Sequence, residues 1–271
     1  VRRQVSDRAA KEAHMAVFAS LKKASLVGAF FVSVFCLPAH ALCPAPGKLP
    51  QAKVQRVVDG DTLRLADGRN VRLIGLNAPE LARKGQPAEP FAEAARKRLV
   101  ELVAANDGRV GVKAGEQKQD RYGRTLAHLY DRQGRNLEAQ LLTEGFGQMV
   151  AITPNVALVA CHREAERQAR SARAGLWAQL RPVPARAVRT GGFILLEGQV
   201  QRVERNRGGV WIELDNSVVL RIAPPVLDSF DASLLRDLQG KRIEARGWMI
   251  DRSRGGLSLI HISEPTRLLS I

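Results

Sequence analysis

From residue 54 onward the chain breaks into short runs in which apolar and polar positions alternate. Val54–Val58, Leu63–Leu65 and Val71–Leu76 read as strands, with Asp67-Gly68 as a hairpin turn between the last two. From Glu89 to Ala105 the period changes. Phe91, Ala94, Ala95, Leu99, Leu102 and Val103 recur at helical spacing, and Asp107-Gly108 ends that helix. Val110–Val112 and Thr125–Tyr130 are strands around a polar loop at 115–124. Asn136 is placed to cap a helix through Leu137, Leu141 and Leu142 that stops at Gly145. Pro154-Asn155 starts a last helix, rich in Ala, Glu and Arg, that ends at Gly175 before Leu176-Trp177. Three strands, a helix, two strands and two helices predict a β-rich α+β domain over 42–180: a five-stranded OB-fold barrel with three packed helices.

Residues 181–190, RPVPARAVRT, read as a Pro- and Arg-rich linker. Alternating runs at 193–203, 209–214 and 217–222 follow, and 191–256 is expected to be a second small OB-like β-barrel. Residues 257–267, LSLIHISEPTR, read as a translated sequencing adapter, so 257–271 is left out of fold reasoning. On that reading the second barrel is truncated, with its closing strand falling where the adapter begins.

Residues 1–14 read as upstream leader. From Met15, the basic pair Lys22-Lys23, the apolar stretch Ser25–Leu37 and Ala39-His40-Ala41 have the layout of a secretory signal peptide, 15–41, cleaved after Ala41. The protein is therefore expected to be exported, periplasmic or secreted, with no stable membrane anchor after cleavage. Two cysteines follow that segment, Cys43 and Cys161. In an exported protein they are a candidate disulfide, and two free thiols are the alternative.

The formal net charge is +15, and residues 42–256 alone hold 35 basic against 24 acidic residues. Such a field attracts polyanions, nucleic acid first among them, although it also suits anionic membranes.

Three polar clusters stand out. VVDGDT, 57–62, places Asp59 and Asp61 around Gly60, ahead of Thr62. RLIGLNAPE, 72–80, carries Arg72, Asn77, Ala78 and Glu80. DRYGR, 120–124, carries Asp120, Tyr122 and Arg124. Taken one at a time they read as a hairpin turn, a loop and solvated charge. In this order and spacing, and with the closing AGLW at 174–177, the stretch 54–177 resembles the thermonuclease (staphylococcal-nuclease-like) family. That resemblance implies hydrolysis of DNA and RNA with Ca²⁺, at the bond that leaves a 3′-phosphate. Asp61, Arg72, Glu80 and Arg124 match the family's motif positions, and Tyr122 matches a position that helps to hold the nucleotide.

The chemistry of these residue types agrees. A hard cation takes oxygen ligands, which Asp61 and Asn77 supply, with backbone oxygen from Ala78 or Thr62. Arg72 and Arg124 can clamp phosphate as permanently charged forks. Glu80 can orient or deprotonate water. Asp59 is expected to shape the turn, with Thr62 and Asp120 supporting the site. Two departures from the family pattern bear on this. Asn77 stands where the family archetype has a second aspartate, which lowers metal affinity or admits other divalent ions. No aromatic residue lies between Phe146 and Trp177, where the archetype stacks a tyrosine on the base. Single-stranded nucleic acid is the expected partner, held largely through phosphate and so sensitive to salt.

His128 and His162 read as packing or surface residues. In the second domain Arg202, Arg205, Arg207 and Arg221 with Trp211 form a candidate single-strand-binding face, the alternative being a solvated basic surface around a core tryptophan. Two rival readings of the whole remain: a nuclease-like protein that binds nucleic acid and cuts it poorly, and an envelope interaction module that uses the barrel as scaffold.

Overall fold

The computed structural model describes residues 43–83, 85–189, 192–224, 227, 235–250, 258–262 and 267–268. At 250, 258–262 and 267–268 it describes the backbone alone. The expected leader and signal peptide lie outside the described residues.

In chain order the first domain contains β1 Gln51–Val57, β2 Thr62–Leu65, β3 Asn70–Leu73, β4 Leu76–Asn77, α1 Ala92–Ala104, β5 Arg109–Gln119, β6 Thr125–Tyr130, α2 Leu137–Thr143, β7 Gln148–Met149 and α3 Val159–Ala172. Five strands close a barrel in the order β1-β2-β3-β6-β5. Every pairing in it is antiparallel except β3 with β6. Alternation sets the inside: Leu63, Leu65, Val71, Leu73, Ala127 and Leu129 are fully buried, and Leu99, Leu137, Leu141 and Leu142 of the helices close over them. Asn136 caps α2 by accepting from Ala139 N at 2.8 Å. A disulfide joins Cys43 to Cys161 on α3, across 118 residues.

Three boundaries differ from the sequence expectation. The third strand stops at Leu73, because Gly75 turns the chain in the left-handed region at φ 84° before β4. β5 runs on to Gln119 through residues read as loop, and α3 starts at Val159 rather than at Pro154. The last two share a cause. The Asn155 side chain accepts from Gln117 N and donates to Gln117 O, which ties 154–155 to the extended strand.

The second domain contains β8 Val183–Pro184, β9 Gly192–Asn206, β10 Gly209–Leu214, β11 Val218–Ile222, β12 Arg242–Ile250, β13 Ser258–Ile262 and β14 Arg267–Leu268. The pairs β9–β10, β10–β11, β11–β13, β13–β12 and β12–β9 close a second ring, again with one parallel pair, β11 with β13. Leu196, Val200, Ile212, Leu214, Leu220, Ile222 and Ile243 fill it. The fifth position of the ring is held by the backbone of 258–262, within the stretch set aside as adapter. Residues 183–188 are not a free linker: β8 pairs with β9, and Ala185 and Val188 belong to the second core.

The two barrels share a polar contact. Glu166 of α3 accepts from Arg246 Nη1 and Nη2, at 2.7 and 2.8 Å, and from Met149 N. Arg246 also donates to Met149 O, and Arg170 donates to Glu244. Beside it Ala169, Leu176, Trp177 and Leu195 form a small apolar cluster with Phe91 and Leu180 against them.

Candidate active site

The site grows from the β1–β2 hairpin. Asp59 Oδ1 accepts from Asp61 N at 3.1 Å, which bends the turn. Gly60 lets the turn seat against its neighbours: a Cβ there would lie 2.6 Å from Ala78 Cβ and 2.7 Å from Ala95 Cβ. The tight seat buries both aspartates. Asp59 also pairs with Arg83 at 3.2 Å.

Asp61 is the centre. Its Oδ1 accepts from Thr62 Oγ1 at 3.0 Å and its Oδ2 from Ala78 N at 2.8 Å. Arg72 Nη2 lies 3.0 Å from Oδ2. Burial pushes the Asp61 carboxyl up to about 6, against the pull of Arg72 and with added repulsion from Asp59. A positive charge brought to this oxygen favours the ionised form.

Arg72 is held on all sides. Its Nη1 donates to Leu73 O at 2.8 Å and Leu76 O at 2.6 Å, and its Nη2 donates to Asn77 Oδ1 at 3.2 Å. Asn77 sits on β4, which pairs with β7. Glu80 is exposed three residues on. Its backbone is strapped at both ends by Glu89, whose Oε2 accepts from Glu80 N and whose N–H donates to Glu80 O.

Arg124 lies one strand across from Arg72. β3 and β6 pair in parallel with Arg72 opposite Leu126, and Arg124 immediately precedes β6. Its side chain is held in its own turn: Nε donates to Asp120 Oδ2 at 2.7 Å. Burial works against ionisation of Asp120, but hydrogen bonds from Arg124 and from Tyr122 N hold its carboxyl below the usual range. Tyr122 is 68% exposed, with Arg121 4.8 Å and Arg124 5.6 Å from its ring centroid.

The structure thus joins Asp59, Asp61, Thr62, Arg72, Asn77 and Ala78 by direct contacts and sets Glu80 at their edge. Arg124 and Tyr122 form a separate group in the turn between β5 and β6. Two of the candidate oxygen ligands are already engaged. Thr62 O already accepts from Val58 N and Asp59 N, which makes it part of the turn rather than a free donor. Asn77 Oδ1 is turned to Arg72. Among the described residues no three His, Cys, Asp or Glu side chains gather as a metal cluster. The supporting roles of Arg83 and Glu89 carried no sequence signal, since both look like ordinary loop charges.

A cleft of about 840 Å³ opens beside Asn77 and Glu80 and runs between the barrels, past Phe91, Arg181, Phe193 and Trp248. In the second domain the arginines of the expected basic face are partly engaged. Arg202 pairs with Glu213, Arg205 donates to Leu235 O, and Arg221 donates to Gly208 O. Trp211 is half-buried, neither core nor free, with Nε1 bonded to Asn206 Oδ1.

An OB-fold barrel with an acidic hairpin buried under a strand-borne arginine, and a loop carboxylate beside them, defines the class to which this domain belongs. The chain is a member of the staphylococcal nuclease homologue family, whose model matches residues 70–179 and ends before the second barrel. It is 31% identical over 129 residues to the thermonuclease of Staphylococcus hyicus, covering 46% of this chain and 74% of that one. Endonuclease YncB of Bacillus subtilis is 30% identical over 137 residues, 49% of this chain and 64% of its own. The SPbeta prophage-derived endonuclease YokF of the same organism is 29% identical, and 45% of its length is covered. The chain therefore spans from under half to just under two thirds of these two Bacillus relatives.

Proposed function

We propose that the protein is an exported nuclease that hydrolyses phosphodiester bonds of DNA, RNA or both, dependent on a divalent cation, Ca²⁺ by preference. The observation that carries this reading is the convergence of Asp61 and Asn77 on Arg72 Nη2, with Glu80 beside Asn77 at an open cleft. The relatives named as endonucleases and thermonuclease support it.

The donor set fits a hard cation. Asp61 Oδ2 and Asn77 Oδ1 both point at one positive group, Arg72 Nη2, at 3.0 and 3.2 Å, so a positive charge is already drawn between two oxygen donors. Asp61 and Asn77, with backbone oxygen of Ala78, would hold the ion, which supplies charge neutralisation at a phosphate oxygen. The remaining work falls to side chains. Arg72 and Arg124 bind the non-bridging oxygens and stabilise the charge that builds on them. Glu80 accepts a proton from the attacking water as the water oxygen bonds to phosphorus. The bond to the 5′ oxygen breaks, and that oxygen leaves with a proton from solvent. Export is supported by the signal-like pattern at 15–41 and by the Cys43–Cys161 disulfide, which persists in oxidising compartments. Among the described residues no helix is long and apolar enough to cross a membrane.

One observation favours the weaker-cutting alternative: Asn77 brings no charge, and its oxygen is engaged by Arg72. One experiment separates the two. Full-length protein is incubated with denatured DNA, with Ca²⁺ or with chelator, beside Glu80→Gln. Degradation that needs the cation and is lost in the variant is the expected result. Binding without degradation in every arm would leave the protein a binder.

A further inference from the structure

We propose that the cleft between the barrels is a subsite for the bases of the single strand that flanks the scissile phosphate, with the Phe193–Trp248 pair as its stacking platform. This inference rests on the nuclease reading for its polarity, since Asn77 and Glu80 form one end of the cleft.

The aromatic pair is built into the second barrel. Phe193 on β9 and Trp248 on β12 are direct cross-strand partners. Their rings meet edge to face, 4.9 Å apart at 60°. Trp248 is 36% exposed, which is unusual for the largest apolar side chain in a packed barrel. Phe91 lines the same cleft at the N-cap of α1, in the left-handed region at φ 70°.

Charge decides which part of a nucleic acid goes there. Arg181 is the one cation among the described lining residues, whereas Glu80 and Glu89 are anions. A phosphate backbone would be repelled at the end that Glu80 and Glu89 line, but bases, which are neutral and flat, would not. Gln148 also lines the cleft, and its Oε1 is buried without a hydrogen-bond partner. Rotation of that amide would offer an acceptor to the exocyclic amine of a base. Arg181, steadied by Trp177 O, Leu180 O and Ala178 O, is placed for a single phosphate at the far wall. The volume admits more than one base. The absence of any aromatic between Phe146 and Trp177 leaves the first barrel without a base platform in that stretch, and the second barrel supplies one.

The test compares substrates of two lengths on the full chain. Hydrolysis of a dinucleotide and of a single strand of about ten nucleotides is measured for wild type, Trp248→Leu, Trp248→Phe and Trp211→Leu. Stacking on one aromatic is worth roughly tenfold or more in affinity. The ratio of kcat/KM on the long strand to that on the dinucleotide is expected to fall about tenfold in Trp248→Leu, through KM. Trp248→Phe should restore most of it, and Trp211→Leu should keep the wild-type ratio. An unchanged ratio in Trp248→Leu, or a fall seen in Trp211→Leu instead, overturns the subsite. If wild type hydrolyses neither substrate, the nuclease reading fails by itself. Quenching of indole fluorescence by the same strand in Glu80→Gln then decides: loss of quenching with Trp248→Leu sustains the subsite, and its persistence refutes it. A gel-filtration shift to a smaller species in Trp248→Leu would assign the cleft to a second copy of the chain.

Discussion

The two barrels are built on one plan, and the charged centre around Asp61 lies in the first. In each, strands 1, 2, 3, 5 and 4 close the ring, and strand 3 runs parallel to strand 5. Each first hairpin is bent by an acidic or amide side chain that accepts from the backbone two residues on: Asp59 from Asp61 N, Asn206 from Gly208 N. Each third strand sends an arginine back to that second residue. In the first barrel Arg72 reaches a carboxylate, Asp61, whereas in the second Arg221 reaches a carbonyl, Gly208 O. A single side chain at one turn position therefore separates a charged centre from a structural turn. The scaffold supplies the geometry, and the chemistry enters at few residues.

The first way to sharpen this contrast concerns what fastens each barrel. The first is stapled by Cys43–Cys161 across 118 residues, and the second has no cysteine. Cys161→Ser is expected to cost about 5 kcal/mol, following the loop-closure estimate for a span of that length. Urea unfolding followed by far-UV circular dichroism reads this, and reducing agent should reproduce it in wild type with no further effect in the variant. Next comes the pair of matched arginines. Arg72→Ala should slow phosphodiester hydrolysis by about a hundredfold or more, near 3 kcal/mol of barrier. Arg221→Ala, at the equivalent place in the second barrel, should leave the rate within twofold. Equal losses would mean that both barrels take part in the chemistry, and the contrast would be gone.

A third effect tests whether the barrels are independent at all. Glu166 is buried and doubly bonded by Arg246, and the counter-charges around it hold its carboxyl below the usual range despite its burial. Glu166→Gln keeps an acceptor for Arg246 but removes the charge that both Arg246 and Arg170 face, and should cost about 2 kcal/mol by equilibrium unfolding. It also slackens Met149, whose strand pairs with Leu76 and Asn77, so hydrolysis should fall with stability. A double-mutant cycle with Arg246→Met that returns no coupling would show the contact to be inert.

How far all this could be read in advance follows from the range of each interaction. Strands such as 62–65 and 70–73 declared themselves because one face is buried, and that imposes alternation. Asp61, Arg72 and Glu80 stood out because their chemistry clusters within twenty residues of sequence. The extension of β5 to Gln119 was hidden, since its residues are exposed and polar, and the reason for the strand is Asn155, nearly forty residues away. Glu166 and Arg246 were equally silent. A charged residue on a helix looks solvated until a partner eighty positions on is folded against it. The polar network within the first core lay beyond sequence for the same reason.

That network provides the smallest and most selective test. His128, Glu138, Asn136 and His162 are all buried. His162 Nε2 bonds to Asn136 Oδ1, which also caps α2, so the imidazole donates there and keeps Nδ1 unprotonated. Gly75, in the loop that leads to Asn77, leaves room for that nitrogen: a Cβ would lie 2.2 Å from it. Burial, aided by His128, lowers the His162 pKa to about 3. The folded state thus resists a proton that the unfolded chain takes up near 6.5. The stability that this contributes is complete above pH 6.5 and is lost as pH falls from there toward 3, by about 1 kcal/mol at pH 5.5. The second barrel has no buried histidine among its described side chains, so this slope belongs to the first. His162→Gln, which retains a donor for Asn136, should flatten the unfolding free energy between pH 7 and 5.5. A profile that keeps its slope in the variant would place the acid sensitivity on other groups and remove His162 from the account.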